Sequence, residues 1–240
     1  MSGCKWTGNR ESRVTCNNSS YSLQRKGTGM NIYLLRHGET DWNKEGRIQG
    51  HTDIPLNRNG RMQIAQTAKG LAGICPNIDL MICSPLVRAR ESAEIAAKGL
   101  HYPSEQIVVE PLLIERCFGE AEGLTVAERE ERYPNYHYSD TGYYFPGMES
   151  FDVLMKRART ALERIMEISR NRENILAVSH GAFLAAVITV VTDGKIPYFS
   201  NAISLDSGSL FRICHTDRVV ELEKYDIDES KFSDIYSGEQ

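Results

Sequence analysis

A chain of 240 residues, 41% apolar and 25% charged, has enough apolar content for one large packed domain, and this excludes wholesale disorder. Its formal net charge of -4 leaves no polybasic signature for nucleic acid or an anionic membrane, so any anion has to be held by a local cluster. No apolar run approaches the roughly 20 residues that span a bilayer, no secretory apolar segment opens the chain, and the six cysteines form no CxxC pair, so a soluble, cytoplasmic protein with reduced thiols is expected.

Residues 1–29 are rich in Ser, Asn, Gly and basic side chains and show no apolar period, so they are expected to form an extension outside the fold. Their basic, acid-poor composition fits a transit peptide, but the amphipathic apolar face is missing. Cys4 and Arg10 have the C-x5-R spacing of thiol phosphatases, yet this polar tail offers no strand-loop-helix setting for that chemistry. From Met30 onward short β-rich runs alternate with helical patterns, the signature of a single α/β domain over 30–240 built on a doubly wound parallel sheet. NIYLL (31–35) is the first buried strand. A helix over 58–72 follows Pro55-Leu56-Asn57 and turns Met62, Ala65, Ala68, Leu71 and Ala72 inward. DLMIC (79–83) is the next strand, Ser84-Pro85 opens a helix over 86–99, and QIVVEP (106–111) is a further short strand. The clearest helix covers 150–170, with Phe151, Leu154, Met155, Ala158, Ala161, Leu162, Ile165 and Ile168 on one face. NILAVS (174–179) reads as a central strand and 182–191 as a buried helix. SLFRICHTDRVVELEKY then reads as two strands joined at 215–218, a hairpin.

In open α/β sheets ligands bind beyond the carboxyl ends of parallel strands, and three predicted strands end on reactive side chains. The first runs into YLLRHGETDWN and brings Arg36, His37 and Asn43; the second runs into SPLVRARES, with Arg88 in the first helical turn; the third runs into SHG, with His180 and Gly181 at a helix start. Helix N-termini offer unpaired amides and a positive dipole end, and arginines add bidentate donors, so these ends converge on an anion. Arg36 beside His37 would be a conflict in a neutral site, because a fixed cation lowers an imidazole's proton affinity. A phosphate dianion removes the conflict: it favours both cations, while the arginine keeps an imidazole nitrogen bare for in-line attack on phosphorus. His37 would then form a phosphohistidine, with His180, Arg36 and Arg88 stabilising charge on the transferring group. Glu115, in LLIERCFGEAEG, follows an apolar run where partial desolvation raises proton affinity. It is expected to protonate the leaving oxygen and then serve as base for water, with Glu122 as a competitor across the same turn. His37 and His180 lack an H-x-H or H-E-x-x-H partner and sit beside cations, so no metal and no other cofactor is expected.

Taken in order, LLRHGETDWN, GRIQGHTDIPLNRNG, SPLVRARES, IER-x-x-G-x-x-EG and VSHG resemble the histidine phosphatase, or phosphoglycerate mutase-like, superfamily over about residues 31–225. The resemblance implies a three-layer α/β/α fold and two-step phosphoryl transfer through phosphohistidine without a metal. By matching motifs it makes His37 the nucleophile, completes the phosphate pocket with Arg36, Arg88 and His180, and makes Glu115 the proton donor. Asn43 and Gln49, in the matching WN and QG positions, add phosphate or substrate contacts. RHG alone is a common tripeptide; the joint order of the motifs carries the resemblance.

Mutases of this family carry, after the Glu-Arg pair, a longer insertion with adjacent arginines that hold the substrate's second charged group. Here the only Lys or Arg residues between Glu115 and Glu149 are Arg116, Arg129 and Arg132, set among acids. RYPNYHYSDTGYYFPG instead gathers Tyr133, Tyr136, Tyr138, Tyr143, Tyr144 and Phe145, read as a lid-like insertion around 116–148 suited to an organic, weakly anionic leaving group, against the alternative of ordinary loop packing. A phosphomonoesterase acting on small-molecule phosphate esters is therefore expected. A 2,3-bisphosphoglycerate-dependent mutase is the alternative within the family, and a non-catalytic phosphate-binding module the alternative outside it. Glu39 and Asp41 stand open between orienting Arg36 and capping the loop, His51 is expected at the solvated surface, and Cys83 in the core. The pattern leaves oligomeric state open.

Overall fold

A computed structural model describes residues 11–17, 29–134, 136, 141–142, 145–200, 205–215 and 219–225. Seven strands, β1 (Glu11–Asn17), β2 (Met30–Arg36), β3 (Leu80–Cys83), β4 (Val108–Val109), β5 (Asn174–Ser179), β6 (Leu210–His215) and β7 (Val219–Tyr225), form one sheet in the order β1-β7-β6-β2-β5-β3-β4. The block β2-β5-β3-β4 is parallel, and β6, β7 and β1 extend it antiparallel. Among the described residues the α-helices are α1 (Asp41–Lys44), α2 (Arg58–Ile74), α3 (Val87–Gly99), α4 (Val126–Arg132), α5 (Phe151–Ile168) and α6 (Gly181–Val191).

Strand alternation explains the layers. Tyr33, Leu35, Met81, Cys83, Leu176 and Val178 point to one face and meet Ile64, Ala68 and Leu71 of α2 and Ala89, Ala93, Ala96 and Ala97 of α3. Ile32, Leu34, Leu80, Ile82, Ile175 and Ala177 point to the other and meet Leu154, Ala158 and Leu162 of α5 and the apolar α6. Both faces of the central strands are covered, as a parallel sheet requires, and the result is the expected three-layer α/β/α arrangement. Each fully buried Leu or Ile adds about 1.5 to 3 kcal/mol relative to exposure, so the two apolar layers outweigh the weak intrinsic preference of these short strands.

Two expectations are corrected here. Residues 1–29 do not all stay outside the fold, because Glu11–Asn17 pairs antiparallel with β7 from Glu11↔Tyr225 to Asn17↔Val219. An exposed hairpin edge accepts any extended partner through backbone bonds alone, which leaves no apolar period to read. The strand expected over 106–111 shrinks to Val108–Val109, both exposed at the sheet edge, since Ser104–Gln106 and Pro111–Leu113 form 3-10 turns around it. Helix α4 was absent from the sequence reading although Thr125 and Glu128 form a capping box, a signal present in the sequence.

Candidate active site

The register of three neighbouring strands assembles the site. Arg36 pairs with Ser179 and Cys83 with Val178, so β2, β5 and β3 stop at nearly one level. The next residues are His37, His180 and Ser84, and their backbones stay tied: His37 N–H donates to the Ser179 carbonyl at 3.0 Å and Ser84 N–H to that of Val178 at 3.0 Å. Beyond this edge lies a cavity of about 450 Å³ whose walls include Arg36, His37, Asn43, Gln49, Arg88, Glu115 and Gly181. His180 stands behind those walls, fully buried, with its ring centroid 5.1 Å from that of His37. All eight residues expected from the sequence are thus gathered at one end of the sheet.

His37 is held in one tautomer. Its Nδ1 lies 2.7 Å from the Gly38 carbonyl, an acceptor only, so Nδ1 carries the proton and Nε2 is left with its lone pair. Burial first, then the charges of Arg88 and Arg36, hold His37 well below the usual imidazole range against the opposing pull of the Gly38 bond. Burial, Arg88, His37, Arg36 and Arg157 do the same to His180. Arg88 donates to the Thr52 carbonyl at 2.9 Å and the Gly50 carbonyl at 2.7 Å, and burial lowers it to about 10, far above neutrality, so it remains a cation. Arg36 donates to the Leu205 carbonyl, and Gly181 lies against its guanidinium.

Glu115 differs from expectation in its surroundings. Its Oε1 accepts the amides of Arg116 at 2.8 Å and Phe183 at 2.9 Å, and its Oε2 that of Ala182 at 3.2 Å. The first turn of α6 therefore holds a side-chain carboxylate, and those two amides are not open to phosphate. Arg157, on α5, was missed by sequence reading: it donates to the carbonyls of Leu112, Ile114 and Glu115 and to both oxygens of Glu149, fixing the segment that carries Glu115. Its signal was a charge three residues from Leu154 along the apolar stripe. Glu122 differs from Glu115 in place: it is not among the residues that line the cavity, and its carboxylate accepts from the amides of His51, Thr52 and Phe118 and from the Thr52 hydroxyl. His51, although exposed, reaches the Glu115 carbonyl at 2.8 Å and is more than a solvated side chain. Asn43 and Gln49 each present an oxygen to Thr40, whose hydroxyl is 3.1 and 3.0 Å away, which leaves their amide nitrogens as donors for the cavity they line. Glu39 caps the loop through Asn57 Nδ2 at 2.8 Å.

The tyrosine-rich lid is corrected for its described rings. Tyr136 and Phe145 are fully buried with centroids 4.4 Å apart, and the half-buried Tyr133 packs on Phe145 with tilted rings at 4.6 Å, so these rings pack into or against the core and do not line the cavity. Tyr138, Tyr143 and Tyr144 lie outside the described residues. The apolar wall is made instead by Ile48, Phe118, Ala182, Phe199 and Leu205, contributed by segments far apart in sequence. Arg47 stands at the same cavity, bound to Glu45 at 2.6 Å and to the Gly123 carbonyl at 2.8 Å. Among the described residues no group of three His, Cys, Asp or Glu side chains is arranged to hold a metal, and no helix is long and apolar enough to cross a membrane.

Two predictions arise from this geometry. A β-carbon on Gly38 would stand 2.3 Å from the Gly60 carbonyl oxygen in the first turn of α2. Gly38→Ala should cost about 1 to 3 kcal/mol of stability and lower kcat, because the loop has to retreat with His37 attached; urea unfolding and turnover measured together check both. The two neutral histidines set a pH dependence. As pH falls through about 6.5 the unfolded chain takes up a proton on each, while the folded protein does so only at its depressed value. Stability is complete above that point and is lost on acidification, by at most about 1.4 kcal/mol per histidine per pH unit. Unfolding between about pH 5 and 6.5 should show a shallower slope in His37→Gln than in the parent, and equal slopes would count against neutral burial.

Residues 32–228 match the family pattern described as the histidine phosphatase superfamily (branch 1). An uncharacterized phosphatase, PhoE of Bacillus subtilis (strain 168), is 34% identical over 207 residues, covering 86% of this chain and 97% of that protein. A metal-independent phosphoserine phosphatase of Arabidopsis thaliana is 37% identical over 169 residues, covering 68% and 69%. The solved structure of Bacillus stearothermophilus YhfR superposes with a TM-score of 0.69 at 28% identity, over 78% of this chain and 95% of that one. With a matching pattern that runs from β2 through β7 and takes in the whole strand-end cluster, the chain belongs to the histidine phosphatase superfamily, branch 1.

Proposed function

We propose that this protein is a phosphomonoesterase that hydrolyses small-molecule phosphate esters through a phosphohistidine on His37. The observation that carries the proposal is the tautomer of His37: a bare Nε2 on a neutral, buried ring between Arg36 and Arg88. Such a nitrogen is a nucleophile without needing a base to activate it.

The steps follow from the cavity walls. A phosphate monoester enters with its oxygens toward Arg36, Arg88 and the amides of Asn43 and Gln49. His37 Nε2 attacks phosphorus, the bond from phosphorus to the ester oxygen breaks, and that oxygen takes a proton from the Glu115 carboxyl. Water then attacks the phosphohistidine, Glu115 takes a proton from it, and the nitrogen-phosphorus bond breaks to release inorganic phosphate. Arg36, Arg88 and His180 stabilise the charge that shifts onto the equatorial oxygens. No metal takes part in this scheme, and the two arginines that bind the anion would repel a cation. The proposed setting is the cytoplasm, in keeping with the free thiols of Cys75, Cys83 and Cys117.

The apolar wall of Ile48, Phe118, Ala182, Phe199 and Leu205 favours an organic, weakly charged leaving group. A mutase would need cations for a second charged group. Arg116 is buried against Tyr198, Arg132 is paired with Glu120, and Arg47 is already occupied by Glu45. The test is incubation with an aryl phosphate. Release of inorganic phosphate together with acid-labile phosphate on the protein is expected, with no requirement for a bisphosphorylated sugar acid as primer. Absence of both products would end the proposal.

A further inference from the structure

Ser84 has no place in the scheme above, yet it touches one of its members. It is the first residue after β3 as His180 is the first after β5, both side chains are fully buried, and its Oγ lies 2.6 Å from His180 Nε2. A serine hydroxyl has one proton and two lone pairs. One lone pair accepts the Leu86 amide at 3.3 Å, and among the described residues the hydroxyl proton has no acceptor except His180 Nε2. If His180 donated from Nε2, the serine proton would be buried without a partner and Nδ1 would keep a bare lone pair that no phosphate oxygen can use; if serine donates, the one group left over is the Nδ1 proton, which a phosphoryl oxygen can accept. The single proton of the neutral imidazole then sits on Nδ1, which is buried and has no partner among the described residues.

From this geometry we infer that Ser84 is a positioning residue: its hydroxyl donates to His180 Nε2, fixes the Nδ1–H tautomer, and so prepares His180 as a neutral hydrogen-bond donor to the transferring phosphoryl group. The inference rests on the phosphatase reading for the identity of the acceptor. The contact also depends on strand register: Cys83 pairs with Val178, so Ser84 stands beside the last residue of β5, and a serine one position away would face the other layer. The two histidines are thereby prepared in the same protonation pattern by different partners. Gly38 draws the proton of His37 to Nδ1 by accepting, and Ser84 sends the proton of His180 to Nδ1 by donating. In His37 the bare nitrogen is the reactive atom, and in His180 the protonated one is.

The decisive measurement is the tautomer of His180 in the full chain, read from its ring nitrogen shifts by NMR with labelled histidine near neutral pH. A proton on Nδ1 alone is expected, with that proton moving downfield when inorganic phosphate is added. A proton on Nε2, a proton on both nitrogens, or no response to phosphate would overturn the inference. Ser84→Ala should lower kcat on the order of tenfold to a hundredfold and release the tautomer preference, while Ser84→Thr, which keeps the hydroxyl, should restore most of both. An alanine variant with parental kcat, or one that loses activity with the tautomer unchanged, would also overturn it. A parent protein that releases no phosphate from an aryl ester would count against the phosphatase reading alone, because the nitrogen shifts are read without turnover.

Discussion

His37→Ala should abolish turnover, with kcat falling by about 10⁴ to 10⁶ and no acid-labile phosphate left on the protein. Among the described residues the cavity holds no substitute nucleophile: Glu115 accepts three backbone amides, and Asn43 and Gln49 offer amide nitrogens whose lone pairs are delocalised. Binding should outlast catalysis, because Arg36, Arg88 and His180 remain. Inorganic phosphate is therefore expected to bind the variant with an affinity within a few-fold of the parent, which separates a missing nucleophile from a collapsed pocket. Loss of the ring also leaves the Gly38 carbonyl without its partner, at a cost of about 1 to 3 kcal/mol, so activity has to be read below the melting transition of the variant. Parental turnover in His37→Ala, or acid-labile phosphate at another residue, would sink the mechanism.

Glu115→Gln should discriminate between substrates. An alkyl phosphate leaves as an alkoxide and needs a proton at the moment of bond breaking, so its kcat/KM is expected to fall by roughly 10² to 10⁴. A nitrophenyl phosphate leaves as a stabilised phenolate and should lose far less in the first step. The ratio of the two is the informative quantity. Glutamine cannot accept with both of its terminal atoms, so the start of α6 is disturbed as well, but that disturbance acts on both substrates and cancels in the ratio. Equal losses for the two esters would remove Glu115 from the proton-donor role.

The parallel strands, the helices on both faces and the cluster of His37, Arg88 and His180 were legible because each rests on a local signal. Buried strands read as apolar runs, amphipathic helices as periodic ones, and charged residues at strand ends stand out against both. The same logic explains the failures. Tyr133 and Tyr136 looked like part of a substrate lid because aromatic density is visible in sequence, whereas the burial of Tyr136 against Phe145 depends on tertiary packing. Phe199 and Leu205 reach the cavity from a loop without periodicity, and Phe199 does so with a positive φ of 50°, a conformation that composition does not announce for a bulky residue. Arg157 was hidden in a helix face that seemed purely apolar, and the part played by Ser84 follows from strand register, which only the sheet reveals.

The shared ending of β2, β5 and β3 divides the surface into two unequal halves. On the cavity side the first residues after the three strands all bear on one constellation, so lengthening those turns by a residue would dismantle it even with the core intact. The opposite turns, which lead into β3 after α2 and into β5 after α5, carry no group of the cavity. They are bound locally, as where Asp79 accepts the amides of Glu173 and Asn174 at 2.9 Å. Added length at that end costs only loop closure, about 0.6 kcal/mol per doubling. Sequence drift, insertions and fused segments therefore have a ready place at the back of the sheet, while its front holds to a fixed count of residues.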